Sequence, residues 1–491
     1  MNRRFFLSLV MLAGLALGGV TLQGCSTNPA TGEQSFTAFM SPDEERSIGA
    51  KEHPKLVKAF GGKYHDAALA NYLNGLGALL QSTSEQPKPP FTFTLLDSPM
   101  INAFAVPGGY VYITRGLMAL ANDEAELAGV VAHEIGHVTA RHTAERVSRG
   151  MLANLGAAVL GTVVGQPMVS DAARLAAGAY IQGYSRDQEF EADQLGVRYL
   201  TRAGFDPAAM ATFLDDMGAE HQLALKIAGQ EGRDPASGLF SSHPRTADRV
   251  ARAAASARAG AKTSLVRDRD IYLNQIDRMI YGDSPEQGYI RGRDFDHAGL
   301  KLRFTAPPGF RLRNSESAIF GEHSDGALLR FDGAKPRDAG QSMESYLTRD
   351  WAADLRFSGV ESITINGMDA ATGGGTISTE NGKRDVRLVA IRFARDQIFR
   401  FLFLTAPKQS ARFNEEFRRT TFSFRRLSAA EAGELKPRRV RVVSVRAGDT
   451  VETMARRMAF DDFQAERFRV LNGLKPGEQL ELGRRVKIVS E

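Results

Sequence analysis

The sequence predicts a multidomain chain: a mainly helical first half around a small sheet, then an α+β region, then a small β-α-α-β module. Three observations predict it. Apolar residues recur at three-or-four spacing within 43–80, 123–138 and 185–203, the stripe of a helix with one buried face. Short alternating runs separated by turn residues fill 295–424, which is strand patterning. The last fifty or so residues place helical pieces between two strand-like runs. At 491 residues the chain has room for two to four domains of about 100–200 residues each. A hydrophobic content of 43% with 24% charged residues fits a folded protein without fibrous or disordered bias. The formal net charge of +5 is dispersed along the chain. That argues against a nucleic-acid partner, which calls for a concentrated basic face.

The N-terminus runs Met1-Asn2-Arg3-Arg4, an apolar segment over 5–20, then Leu22-Gln23-Gly24-Cys25. A basic start followed by a short apolar stretch and small residues is a signal peptide, here 1–24. Cys25 is the only cysteine, so none is left for a disulfide, although an exported chain could form one. The Leu-x-Gly-Cys ending resembles a bacterial lipoprotein signal. The resemblance implies that Cys25 carries lipid, and Ser26 in place of Asp implies the outer membrane of a Gram-negative cell. Residues 25–41, polar with Asn-Pro and Thr-Gly breaks, read as a tether.

From 43 to 80 the helical pattern is interrupted at Gly61-Gly62, and 91–96 alternates as a strand. Residues 101–116, INAFAVPGGYVYITRG, read as strand, Pro-Gly-Gly turn and strand. The first strand, with Asn102, Ala103 and Phe104, is either interior to a small sheet or an edge to which an extended peptide could add.

The next helix carries the chemistry. Leu127, Val130, Val131, Ile135 and Val138 form its apolar stripe, and Asp123 three residues before Glu126 predicts a capping box at its start. Inside lies His133-Glu134-Ile135-Gly136-His137. Residues four apart stack on one helical face, so His133 and His137 project together. Two such imidazoles can hold zinc, and the adjacent Glu134 can reach a water at the metal. The bare motif also occurs on ordinary helix surfaces, so the rest of the chain decides. His142, nine residues past His133, falls on the far face of a continued helix. His53, His65, His221, His297 and His323 have no motif context and read as structural or solvated. Residues 151–165, rich in Gly, Ala, Leu and Val, are shorter than the ~20 apolar residues of a membrane span; they read as a buried or lid-like helix. Ser185 then caps a helix to about Ala203, stopped by Gly204, with Glu189 and Asp193 on one face.

HEIGH, then SRDQEFEAD some fifty residues on, then Ser242-His243-Pro244 with Arg249, resemble the gluzincin metallopeptidases of the CAAX-prenyl-protease, HtpX and BepA type. The strand pair NAFAVPGGYVYITRG matches the same family. The resemblance covers about 41–260 and implies a zincin-type metallopeptidase domain over 42–262. It implies Glu189 as third zinc ligand and Asp193 as the carboxylate behind a ligand His; Glu191, two residues past Glu189 on the helix, points away by spacing and reads as solvated surface. The resemblance gives His243 one of two roles: stabilising the oxyanion, or filling zinc's fourth position in a latent enzyme. Two His and one Glu meet the need of catalytic zinc for three protein ligands and an open position.

Residues 263–427 read as a linker helix (267–281) and an α+β domain, faintly similar to PsbP-type domains, with hairpins at Asn366-Gly367 and Asn381-Gly382. No chemical constellation appears there. Residues 438–491 resemble a LysM module, with Gly448-Asp449-Thr450 opening a helix and Leu471-Asn472 closing the next. Such modules bind peptidoglycan glycan. The expectation is therefore a lipid-anchored envelope zinc endopeptidase with polypeptide substrates. Its rivals are a latent or non-proteolytic periplasmic chaperone or peptidoglycan-bound scaffold, and a hydrolase of peptidoglycan peptides.

Overall fold

The computed structural model describes residues 25–88, 91–151, 183–230, 252–253, 255, 265–315, 317–379 and 382–491. The chain forms two compact units, one running to Tyr281 and taking in Arg439–Ser490, the other Gly282–Arg438 with the terminal Glu491.

The first unit begins with β1 (Cys25–Thr27) paired antiparallel with β2 (Gln34–Phe36). Residues read as a loose tether are folded here: Asn28, Ala30, Ser35, Thr37 and Met40 are buried. Their polarity is absorbed by internal hydrogen bonds, such as Asn28 N to Glu33 O at 2.7 Å and Gly32 N to Asn28 O at 2.8 Å. Ser41 and Glu44 form a capping box at the start of α1 (Pro42–Ala59). The predicted break follows at Gly61 and Gly62, and α2 (Ala67–Ser82) starts at an Asp66 cap.

Strands β3 (Thr92–Leu96), β4 (Ala103–Val106) and β5 (Tyr110–Thr114) form one sheet in the order β3-β5-β4. Among the described strands β4 is therefore an edge. The β4–β5 turn needs glycine: a Cβ on Gly108, at φ +85°, would lie 2.9 Å from the Arg46 Cα of α1. Then follow α3 (Arg115–Leu120), α4 (Glu124–Thr139), α5 (Arg186–Arg202), α6 (Ala208–Ile227) and α7 (Arg269–Ile276). Helix α4 is buried almost all round rather than on one stripe, because Ala125, Ala128, Gly129 and Ala132 let its other faces pack too. It is the axis of the unit.

The second unit is mostly antiparallel sheet: β6 (Tyr289–Arg291), β7 (Asp294–His297), β8 (Leu302–Thr305), β9 (Phe310–Asn314), β10 (Ala318–His323), β11 (Leu328–Ala334), β12 (Phe357–Ile365), β13 (Met368–Thr379), β14 (Gly382–Ala394) and β15 (Gln397–Thr405). The large sheet runs β12-β13-β14-β15-β11-β10-β9. Helix α8 (Ser410–Ser423) lays Phe413 and Phe417 against Phe310 and Phe403. Asn366 and Gly367 both take positive φ, as an Asn-Gly hairpin requires. This is the α+β pattern that the alternation predicted. A short strand, β16 (Arg425–Arg426), joins β6–β8 in a second sheet.

The tail has the expected β-α-α-β order: β17 (Arg439–Ser444), α9 (Val451–Ala455), α10 (Gln464–Leu471) and β18 (Arg485–Ser490), with β17 and β18 antiparallel. It has a small core of its own, yet it belongs to the same compact unit as α4. The fully buried Lys487 is one part of this attachment. Its Nζ donates to the carbonyls of Ala119, Leu120 and Ala121 at 2.8, 2.9 and 2.7 Å, closing the C-terminal end of α3.

Candidate metal centre

Helix α4 starts where the capping residues predicted. Asp123 Oδ1 accepts from Glu126 N at 2.9 Å, while Glu126 Oε2 reaches one residue further back than a standard box, to Asn122 N at 2.7 Å. Arg267 Nε donates to Asp123 at 2.7 Å and its Nη2 to Glu126 at 3.2 Å. Asn122 also donates to Asp216 at 2.9 Å. Burial, with Asp123 and Asp216 nearby, raises Glu126 to about 7; burial likewise raises Asp216 to about 6. Burial, and then Arg269, pushes Lys487 down to about 7.

One turn apart on α4, His133 and His137 turn their Nε2 atoms towards each other at 3.0 Å. Glu189 comes from the first turn of α5, with Oε1 3.4 Å from His137 Nε2 and Oε2 3.7 Å from His133 Nε2. The close crossing of the two helices makes this meeting possible. A Cβ on Gly136 would lie 3.1 Å from Ala192 O, and one on Gly196 3.2 Å from His133 N. Ser185 caps α5 through Gln188 N, with the reciprocal Gln188 bond completing a capping box. All three side chains are buried, and among the described residues they are the one group of His, Cys, Asp and Glu disposed to hold a metal ion.

The donor set fits zinc. Three ligands at ~2.0–2.1 Å in tetrahedral array lie roughly 3.3 Å apart, close to the separations seen here. Burial above all, with His133 and His142 alongside, holds the His137 imidazole well below its usual pKa, although Glu189 opposes this; the ring stays neutral, as a ligand must be. Asp193 Oδ1 lies 2.9 Å from His133 Nδ1, where a carboxylate can orient a ligand imidazole. Glu134, between the ligands in sequence, is buried beside them.

His137 is backed differently, and here two expectations are corrected. His142 is not on a far helical face: α4 ends at Thr139 and Arg141 takes φ +59°, so the chain turns back. The buried His142 puts Nδ1 2.8 Å from His137 Nδ1 and Nε2 3.1 Å from Glu191 Oε2. Glu191 does point away from Glu189, but into protein rather than solvent, and its other oxygen accepts from Asn28 Nδ2 at 2.8 Å. The Tyr184 ring stacks on His137 with centroids 3.8 Å apart, and its hydroxyl lies 3.0 Å from Thr143 Oγ1. Nothing in the repeat of α4 announces Tyr184, Asn28 or His142, since Tyr184 and Asn28 reach the site from loops and His142 opens a new helical stretch after the turn at Arg141.

Along the predicted substrate strand, Asn102, Ala103 and Phe104 are buried, and Phe104 stacks on Tyr112 at 4.7 Å. These side chains are core, so the strand can offer a peptide only its backbone. A small cleft lies between Ala105, Val106 and Gly108 on one side and His137, Thr143 and Tyr184 on the other, beside the metal ligands. His53 is structural, its Nδ1 2.9 Å from the Tyr112 hydroxyl. His243 and Arg249 lie outside the described residues, as do nearly all of 151–165. No described helix is long and apolar enough to cross a membrane.

Residues 68–257 match Peptidase family M48. A beta-barrel assembly-enhancing protease of Yersinia pestis is 35% identical over 234 residues, covering 45% of this chain and 48% of its own. The protein of the same name from Escherichia coli K12 is 33% identical over 278 residues, 54% of each chain. A mitochondrial metalloendopeptidase OMA1 of Saccharomyces cerevisiae is 38% identical over 149 residues, 30% of this chain and 41% of its own. The chain thus spans about half the length of the bacterial relatives it matches.

Proposed function

We infer, from the peptidase family M48 match over 68–257 and from the buried His133, His137 and Glu189 within it that could hold a metal ion, that this chain is a zinc endopeptidase of the bacterial envelope. The observation that carries this reading is the convergence of His133, His137 and Glu189 around one point, with Glu134 beside them. Bound there, zinc supplies a Lewis acid for the scissile carbonyl and the attacking water. Asp193 fixes His133 with its Nδ1 proton turned outward and its Nε2 lone pair turned to the site. Glu134 takes the proton of the attacking water and returns one to the leaving amine as the peptide bond breaks. A substrate peptide pairs as an added strand along β4, whose far end borders the cleft at His137.

The relatives named for β-barrel assembly support misfolded or stalled periplasmic and outer-membrane proteins as substrates. Lipid on Cys25 would hold the enzyme at the outer membrane, and the tail would meet peptidoglycan if it binds glycan as LysM modules do. His243 would serve either the oxyanion or latency, and assaying His243→Ala separates the two: slower cleavage favours the oxyanion, faster cleavage favours latency. The reading is tested by incubating an unfolded polypeptide such as casein with wild type and Glu134→Gln. Cleavage by wild type alone supports it. A zinc-loaded wild type that cleaves nothing, with or without His243, would replace it with the scaffold reading.

A further inference from the structure

Two features of the metal centre have no part in the peptidase chemistry: the imidazole of His142 behind a ligand, and a polar side chain from the N-terminal segment behind that. With His137 and His142 both neutral, the atoms fit one protonation pattern. If His137 presents its Nε2 lone pair to a metal, its proton sits on Nδ1 and must be donated. His142 Nδ1, 2.8 Å away, accepts it. The His142 proton then sits on Nε2, which faces Glu191 Oε2 at 3.1 Å. Glu191 accepts there as a carboxylate, and its other oxygen accepts from Asn28 Nδ2 at 2.8 Å. With both rings neutral, each donor meets an acceptor along the whole row, so the arrangement favours the ligating tautomer of His137.

Asn28 is itself fixed. It is buried, its Oδ1 accepts from Ala30 N at 2.9 Å, and its backbone closes the turn to Gly32 and Glu33. Arg198 of α5 donates to Ala30 O at 3.2 Å, which pins the turn to the helix that carries Glu189 and Glu191. Further along, Arg141 donates to Met40 O at 2.7 Å and Ser148 Oγ accepts from Phe39 N at 3.2 Å. The segment between Cys25 and α1 is thus seated on the chain that follows the metal helix.

We propose that His142, Glu191 and Asn28 are positioning residues for the metal. They form a relay in which the segment just after Cys25 orients the second ligand imidazole and so sets how tightly zinc is held. The proposal rests on the zinc site of the preceding reading but not on peptidase activity. Its test is accordingly zinc affinity, measured by competition with a chromogenic chelator, in full-length protein.

Outer partners of a ligand imidazole commonly contribute ~10–100-fold in metal affinity. Glu191→Gln, which keeps the shape and removes the acceptor charge, should raise the zinc dissociation constant within that range. Asn28→Ala should raise it by a few-fold, on the order of 3–10. His142→Phe should match or exceed Glu191→Gln, and His142→Gln, able to accept from His137 and donate to Glu191, should recover part of the loss. The melting temperature of each zinc-free variant separates this role from a merely structural one. Weaker zinc binding with an unchanged zinc-free melting temperature supports the relay. Glu191→Gln and Asn28→Ala that fold and bind zinc within twofold of wild type would overturn it. So would affinity losses matched by equal destabilisation of the zinc-free protein.

Discussion

At its N-terminal end the metal helix α4 sits among charges: Asp123, Glu126 and Arg267, with Asp216 and Lys487 close by. At its C-terminal end it sits among rings, His133, His137, His142 and Tyr184, with carboxylates behind them. Both ends are completed by residues outside the stretch 68–257 that matches the peptidase family. The tail supplies Lys487 to the end of α3, just ahead of α4, and the N-terminal segment supplies Asn28 behind His137. The contrast separates two jobs. The charged end fixes where the helix lies, and the ring end fixes which way its ligands face. Damage at the first should therefore appear as lost stability with zinc binding intact in the folded fraction. Damage at the second should appear as lost zinc affinity with the fold intact.

Lys487→Met gives the largest expected effect on the charged side. It leaves three buried carbonyls without their donor, at ~1–3 kcal/mol for an unsatisfied group, so urea denaturation should show a loss of about 3 kcal/mol. Zinc per folded chain should not change. On the ring side, Asp193→Asn removes the carboxylate 2.9 Å from His133. Zinc affinity should fall ~10–100-fold, read by chelator competition, with little change in the zinc-free melting temperature. If either variant produced the other's signature, the division between the two ends would fail.

The charged end also carries a pH signature. Asp216 is raised to about 6 by burial, so the folded state holds a proton that the unfolded chain releases near pH 4. This contribution is full below about pH 4 and is lost as pH rises through about 6. Unfolding free energy should decline across that window by on the order of 2 kcal/mol. Asp216→Asn should flatten the decline by removing its share, and an unchanged slope would show that the carboxyl is not protonated in the fold. The smallest effect belongs to Ser185→Ala. It removes the cap of the helix that bears Glu189 and should cost ~1 kcal/mol, measured by urea denaturation, leaving zinc bound at saturating metal.

What could be read from the sequence follows the same division. Periodicity places His133 with His137, and Glu189 with Asp193, on shared faces of two uninterrupted helices, while the roles of Glu189 and Asp193 come from the family resemblance. Extending the period past Thr139 misplaces His142, because the helix ends there and Arg141 takes positive φ. For Glu191 the helical repeat gives the right direction and the wrong surroundings, since it sets orientation but not what the far face meets. Asn28 looked like tether, because polarity alone cannot distinguish a residue solvated by water from one hydrogen-bonded inside. Lys487 lies in a strand that alternates basic and apolar residues, and nothing local marks a lysine that will close a helix distant in sequence. The β-rich unit was legible as strands and hairpins, since alternation and Asn-Gly pairs are local signals. The order β12-β13-β14-β15-β11-β10-β9 depends on pairings between distant segments, which no local pattern records.

The central claim is that one metal ion is held by His133, His137 and Glu189 while Glu134 works beside it without holding it. The most direct test is the zinc content of purified wild type, His137→Ala, Glu189→Ala and Glu134→Gln, measured by elemental mass spectrometry after dialysis against a weak chelator. The predicted result is one zinc per chain in wild type and Glu134→Gln, and essentially none in His137→Ala and Glu189→Ala. Full zinc in Glu189→Ala, or its loss in Glu134→Gln, would contradict the account.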